Sequence, residues 1–296
     1  NILKKLGVKI KKKKNFYEIV GNGLNSYNYK NNLILDAGNS GTLGRLILAT
    51  LIKSPKKIKL IGDKSLSRRD FSRVIHPLKK FGASFYPKSQ NSLPLYIKGT
   101  KFVRPIKYFE KIGSAQCKTC VMLAALNAPG RTVIKAKKSR DHTEILFKEL
   151  KIPIKIKNTK EFDHIEIEGE KNFKCFDYKI PSDISSSSFL IVLTLLSKNS
   201  KLVIKNVNIN PSRTGIIKIL NMMGAKIIFK NVRKYKGEKI ANLIVKSKKS
   251  FKPINCSSDL NSSAIDEFLV IFLVAAKAKG ISYFKNLSEL KKKKAL

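Results

Sequence analysis

One unit recurs four times along this chain, and that recurrence limits the fold more than any other feature. Each copy opens with a small polar cluster, runs into an apolar helix, crosses to a β-branched strand, passes a polar turn and enters a second helix. Ser40, Ser114, Ser185 and Ser262 mark the clusters, 74, 71 and 77 residues apart. The apolar segments Thr42 to Ile52, Gln116 to Leu126, Ser187 to Leu196 and Asp266 to Ala276 carry hydrophobic residues on more than one face, as buried helices do. The segments Lys57 to Ile61, Thr132 to Lys135, Leu202 to Lys205 and Ser282 to Phe284 carry the Ile, Val and Phe typical of strands.

A second signal marks where helices end. Leu6-Gly7-Val8, Phe81-Gly82-Ala83 and Met223-Gly224-Ala225 each place Gly where a helix closes through a left-handed residue. In the third such position Leu150-Lys151-Ile152-Pro153 replaces that cap with a Pro stop. A unit of this size cannot hide its apolar faces alone, so copies are expected to pack with helices inside and sheets around them. Two lobes follow, 1–180 and 181–296, with the boundary where the Lys-rich strand ends at Pro181 and a Ser-rich cluster begins. The chain opens and closes inside units, so material is expected to be missing at both ends.

With 296 residues and 43% apolar composition, the chain can bury a substantial core. Its longest apolar stretches, such as Phe268 to Ala276, are far shorter than the roughly 20 residues a membrane helix needs, and no signal-peptide pattern opens it. The expectation is a cytoplasmic protein with no membrane partner. The net charge of +41 raises nucleic acid as a partner, but only nine of the 61 basic residues are Arg, and Lys is spread through every segment. That distribution argues against a nucleic-acid stripe. Arg, whose planar fork grips two oxygens at once, is the more informative cation, above all Arg45, Arg69, Arg140 and Arg213. Cys117 and Cys120 have metal-like spacing, yet no second pair follows, and His76, His142 and His164 supply no ligand pattern. Buried, reduced thiols are expected, without metal or cofactor.

The segment Asp36-Ala37-Gly38-Asn39-Ser40-Gly41-Thr42 sets glycines and hydroxyls before a buried helix. Alone, it reads first as a turn with an N-cap and second as a place where free backbone N–H groups hold an anion. Further on come Gly62-Asp63-Lys64-Ser65-Leu66 with Arg68, Arg69 and Arg73, Ser114-Ala115-Gln116-Cys117-Lys118, and Ser139-Arg140-Asp141-His142-Thr143-Glu144. Pro181-Ser182-Asp183-Ile184-Ser185-Ser186, Asn210-Pro211-Ser212-Arg213-Thr214-Gly215 and Ile265-Asp266-Glu267 complete the series. In this order the motifs resemble the EPSP synthase family over essentially the whole chain.

The resemblance implies an α/β enolpyruvyl transferase-like fold, with two lobes of repeated βαβαββ units around parallel internal helices, here incomplete at both ends. It implies that phosphoenolpyruvate and shikimate 3-phosphate meet between the lobes, where the shikimate 5-hydroxyl attacks the enol carbon and a tetrahedral intermediate loses phosphate. No cofactor is implied, and the expected state is a monomer. By position, Asn39, Gly41, Thr42, Arg69 and Gln116 match the phosphoenolpyruvate site. Ser114, Ala115, Gln116, Arg140, Asp266 and Lys293 match the shikimate 3-phosphate site. Asp266 and Lys293 match catalytic groups, Asp266 as the carboxylate that orients the attacking hydroxyl and accepts its proton. From local sequence alone, Asp266 reads first as the N-cap of the helix behind it, a standard helix start, and only second as a base.

Four departures from the family pattern stand out. Asp70 occupies the place of a Pro after Arg69, which should loosen that turn. Lys294 falls where the family has a proton-shuttling Glu, and the neighbouring Arg and the N-terminal Lys-Ser segment have no counterpart. The 296-residue chain by itself is therefore expected to be inactive. Two other readings compete: a UDP-N-acetylglucosamine enolpyruvyl transferase-like enzyme, which would need a Cys in a mobile Gly-rich loop, and a basic RNA-binding protein, which would show stacked aromatics on an exposed sheet.

Overall fold

In the computed structural model, which describes residues 1–288 and 290, the repeat appears as repeated topology. After a short helix α1 (Ile2–Lys5) and a Lys-rich exposed hairpin, β1 (Lys9–Lys12) and β2 (Tyr17–Val20), the first full copy runs β3 (Ile34–Asp36), α2 (Gly41–Thr50), β4 (Ile58–Ile61), the single-turn α3 (Lys64–Ser67), α4 (Ser72–Phe81), β5 (Ser84–Tyr86) and β6 (Leu95–Lys98). Its sheet has the order β3-β4-β6-β5, with β3 parallel to β4 and the other pairs antiparallel. The next copy, β7 (Lys107–Glu110), α5 (Ala115–Ala125), β8 (Arg131–Lys137), α6 (His142–Glu149), β9 (Ile154–Asn158) and β10 (Phe162–Glu168), repeats that order as β7-β8-β10-β9. This is the βαβαββ module that the resemblance implies.

The third copy follows the same plan with its first strand reduced to one parallel bridge, Ser182 to Val207. It contains α7 (Ile184–Leu196), β11 (Lys201–Asn208), α8 (Gly215–Met222), β12 (Ile228–Tyr235) and β13 (Glu238–Lys246), in sheet order β11-β13-β12. The fourth begins with β14 (Asn255–Cys256), passes a 3-10 turn at Ser258–Leu260, α9 (Asn261–Ala264) and α10 (Phe268–Ala275), and returns through β15 (Tyr283–Phe284), parallel to β14.

The chain forms two compact units, Asn1–Lys138 with Phe147–Phe176, and Ser139–Leu146 with Asp177–Leu296. Each has its own core. In the first, α2 and α5 bury Ile47, Leu48, Cys120, Val121 and Ala124 with the inner faces of both sheets. In the second, Ile191 and Leu195 of α7 pack with Ile216, Leu220, Phe268 and Ile271. Of the apolar helices expected to be buried, α5 is covered on all sides and α2 on all but its first turn, where Thr42 and Leu43 are exposed. In the second unit, α7 leaves Phe189 and Leu193 exposed and α10 leaves Leu269 and Leu273 exposed, because no described residue covers those faces.

The Gly caps behave as expected: Gly7, Gly82 and Gly224 all have positive φ. At the position read as a Pro stop, the left-handed step is taken by Lys151, with φ 56°, before Pro153 is reached. A Cβ makes that conformation costly by about 1 kcal/mol. Lys151→Gly is therefore expected to stabilise the first unit by up to about 1 kcal/mol, seen as a higher urea midpoint at unchanged slope. Among the described residues no helix is long and apolar enough to cross a membrane.

Candidate active site

Gly41, Thr42, Ser114, Ala115 and Gln116 meet in the first unit because α2 and α5 pack side by side with their N-termini together, and Arg45 and Arg69 join them. Ser40 caps α2, its Oγ accepting from Leu43 N at 3.2 Å, and Ser114 caps α5, its Oγ accepting from Cys117 N at 3.3 Å. Gly41 and Ala115 are the first residues of their helices. Gln116 Nε2 donates to Thr42 Oγ1 at 2.8 Å, and Arg45 Nη1 donates to Gln116 Oε1 at 2.9 Å. A Cβ on Gly41 would lie 2.9 Å from Arg45 Nη1 and 3.1 Å from Arg69 Nη1, so both guanidinium tips converge over this glycine. Burial, with Arg69 and Arg73 close by, pulls the Arg45 guanidinium below its ordinary range. Two cations at two helix N-termini make a setting for a small anion.

Neighbouring carboxylates hold this arrangement. Asp63 caps α3 through Leu66 N at 2.7 Å and accepts from Asn39 Nδ2 at 2.5 Å, so Asn39 braces the turn. Glu110, buried, accepts from Arg73 at 2.9 Å, from Gly113 N at 2.5 Å and from Ser114 N at 2.9 Å. Asp70, expected to loosen its turn, instead ties it. Its oxygens accept from Ser72 N at 2.8 Å and Ser72 Oγ at 2.5 Å, an Asx-type turn that does by hydrogen bonding what a Pro ring would do covalently. Cys117 and Cys120 are buried free thiols inside α5, and burial pushes the Cys120 thiol well above its ordinary range.

Arg140 and Asp266 lie in the second unit. They form a short ion pair, although 126 residues separate them. The residues after Arg140 are gripped in turn. Asp141 accepts from Asn210 Nδ2 at 2.8 Å, and His142 Nδ1 stands 2.5 Å from Glu238 Oε1. Asn210 also donates to Glu238 at 3.2 Å. Asp266 does not cap α10, whose N-cap is Glu267, so the capping alternative does not describe it. Beside the pair, Asp183 caps α7 through Ser186 N at 2.8 Å, and Arg213 Nη2 donates to Asp183 Oδ1 at 2.8 Å and to Ser185 Oγ at 2.6 Å. Lys293, and Lys294 beside it, lie outside the described residues.

Sequence reasoning assigned no role to Asp63, Glu110 or Glu267. The first could have been found as an Asp three residues before a helical Leu, but nothing local distinguishes Glu110, whose partners are chosen by tertiary folding. Among the described residues no group of three or more His, Cys, Asp or Glu is placed to hold a metal ion.

Comparison with known proteins first defines a class. The fold matches the enolpyruvyl transferase NikO of Streptomyces tendae with a TM-score of 0.69 over 94% of this chain and 64% of that one, at 13% identity, which speaks for the fold alone. An EPSP synthase of Acinetobacter baumannii matches with a TM-score of 0.84 and 32% identity, over 99% of this chain and 65% of its own. The 3-phosphoshikimate 1-carboxyvinyltransferase of Petrotoga mobilis is 39% identical over 297 residues, 99% of this chain and 67% of the relative. The family model for EPSP synthase (3-phosphoshikimate 1-carboxyvinyltransferase) matches residues 1–295. The chain belongs to the EPSP synthase family and spans about two thirds of the length of these relatives.

Two hydrogen-bonded carboxylates of the second unit, half-exposed Asp183 and buried Glu238, make its stability acid-sensitive. Burial alone would raise Asp183 and Glu238. The Ser186 N–H and Arg213 instead hold Asp183 below its usual range, and His142 and Asn210 do the same for Glu238. A depressed carboxyl contributes stability that is present above its unfolded value, about 4, and is lost as pH falls through the folded value. Glu238→Gln is therefore expected to lower stability at neutral pH and to flatten the acid limb, as followed by circular dichroism from pH 7 downward.

Proposed function

We propose that this chain carries the substrate-binding core of an enzyme that transfers the enolpyruvyl group of phosphoenolpyruvate to the 5-hydroxyl of shikimate 3-phosphate. The products are 5-enolpyruvylshikimate 3-phosphate and phosphate, a step of aromatic amino acid biosynthesis. The observation that carries the reading is the convergence of Arg45 and Arg69 on Gly41 beside Gln116, within a chain that belongs to the EPSP synthase family.

In this reading Gly41 and Arg69 receive phosphoenolpyruvate, with Asn39 and Thr42 shaping the turn and Gln116 reaching both substrates. Ser114, Ala115 and Arg140 hold shikimate 3-phosphate. Asp266 orients the 5-hydroxyl and takes its proton as the oxygen bonds to C2 of phosphoenolpyruvate, while the methylene carbon gains a proton. The tetrahedral adduct then loses a proton from that methyl group as the C2–O bond to phosphate breaks. Lys293 is assigned to the same chemistry by its sequence position. No cofactor enters, and the lobes are taken as 1–180 and 181–296 of a cytoplasmic monomer. Arg forks suit both substrates, since each carries a phosphate and a carboxylate.

Titration calorimetry of the purified chain with shikimate 3-phosphate and phosphoenolpyruvate tests the reading. Saturable, mutually enhancing binding supports it, and no binding of either would overturn it. Phosphate release by the intact gene product is the companion assay. Gly41→Ala adds a methyl group against the flexible tips of Arg45 and Arg69, so the fold should tolerate it. The displaced guanidinium contact is worth about 1.5 kcal/mol or more, so phosphoenolpyruvate affinity should fall roughly tenfold or more. Shikimate 3-phosphate affinity in the absence of phosphoenolpyruvate should change little.

A further inference from the structure

Glu267 stands next in sequence to Asp266 and is 1% exposed. Its Oε1 accepts a short hydrogen bond from Ser185 Oγ. Arg213 Nη2, which can only donate, gives its proton to the same Ser185 oxygen at 2.6 Å, which leaves the hydroxyl proton of Ser185 free for Glu267. Ser185 gives that proton to Glu267 Oε1. The second oxygen, Oε2, is buried and has no hydrogen-bond partner among the described residues. An ionised carboxylate leaves such an oxygen charged and dry, which costs far more than a neutral carboxyl in the same place.

Among the described residues, the charges around Glu267 come from four places. Asp266 adjoins it in sequence, Arg140 precedes α6, Arg213 precedes α8, and Asp183 caps α7. The two cations are already engaged, Arg140 with Asp266 and Arg213 with Asp183. Two carboxylates this close do not both ionise readily. We infer that Glu267 is a positioning residue that stays uncharged beside Asp266, so that the pair holds a single negative charge, on the carboxylate that meets Arg140. The Arg213–Ser185–Glu267 chain then sets the backbone from which Asp266 projects, without competing with it for Arg140. Burial first, with the Asp266 charge adding to it, raises the Glu267 carboxyl above the ordinary range, against the Ser185 bond and the two Arg. Asp266 as the reacting base rests on the function proposed above, whereas the charge state of Glu267 does not.

Carbon-13 NMR of the side-chain carboxyls, with Glu267→Gln identifying the resonance, reads that state directly. The expected result is a Glu267 carboxyl that titrates above every exposed Glu of the chain and moves higher still in Ser185→Ala. Titration within the ordinary carboxylate range would overturn the inference. Stability gives a second readout. A carboxyl raised by folding contributes stability that is present below its unfolded value and lost as pH rises through its folded value. Glu267→Gln, always neutral, should therefore gain on the wild type as pH rises, and a pH-independent difference between the two would count against the proposal. If shikimate 3-phosphate binds, its affinity in the wild type should fall on the alkaline side as a second charge appears beside Asp266, and Glu267→Gln should remove that limb. A high Glu267 titration in a chain that binds neither substrate would uphold the neutral carboxyl and refute the transferase reading alone.

Discussion

The packing of α2 against α5 is the contact on which the first-unit site depends. Both helices are too apolar to lie on a surface, so the first unit buries them against each other and beneath its sheets. Because they pack with like ends together, their unpaired N-terminal amides point the same way. Thr42 and Gln116, 74 residues apart in sequence, come within 2.8 Å. No polar interaction has to assemble this site, since hydrophobic burial does so and the polar groups inherit its geometry. The carboxylates of Asp63 and Glu110 then fix the loops that lead into the two helices.

The second unit uses the same module for different electrostatics. In the first two copies the residue capping the apolar helix is a serine, Ser40 or Ser114, and the turn it closes stays open to added negative charge. In the third the cap is Asp183, and the extra charge requires a cation, which Arg213 supplies. Once Arg213 is committed there, its remaining hydrogen bond sets the polarity of Ser185 and, through it, the environment of Glu267. One change of cap from hydroxyl to carboxylate thus separates a cation-rich helix start from one whose charges are internally balanced.

Much of this could be read before any coordinates. The seventy-residue period, the four apolar helices and the strands after them are local or periodic properties, and the sheets repeat the same strand order. The Gly caps were legible for the same reason, because positive φ is a property of single residues. What escaped was set by distant partners. The segment Ser139–Leu146 groups with the second unit although its neighbours on both sides group with the first, and its bonds to Asn210, Ser212, Glu238 and Asp266 show why. Asp70 looked like a lost proline because its sequence context hides the bond to Ser72. Lys151 looked like part of a Pro stop because a left-handed Lys is rare enough to be a poor guess. The exposed faces of α7 and α10 run against the expectation of full burial, which takes for granted that something lies on each side.

The charge of the chain separates into two populations along the same line. Lysines cover the outer strands, where several lie over aromatic rings: Lys57 stands 4.4 Å from the Tyr96 ring and Lys135 4.7 Å from that of Phe162. Such stems shield apolar surface while their ammonium groups remain in water, and they impose no common direction. Arg45, Arg73, Arg140 and Arg213, by contrast, each have a defined side-chain partner close to a helix start. A net charge of +41 spread over flexible lysines attracts any polyanion weakly and loses it with added salt. Guanidinium groups held by Gln116, Glu110, Asp266 and Asp183 instead have directions fixed by their partners, so each is committed to one place in its own unit.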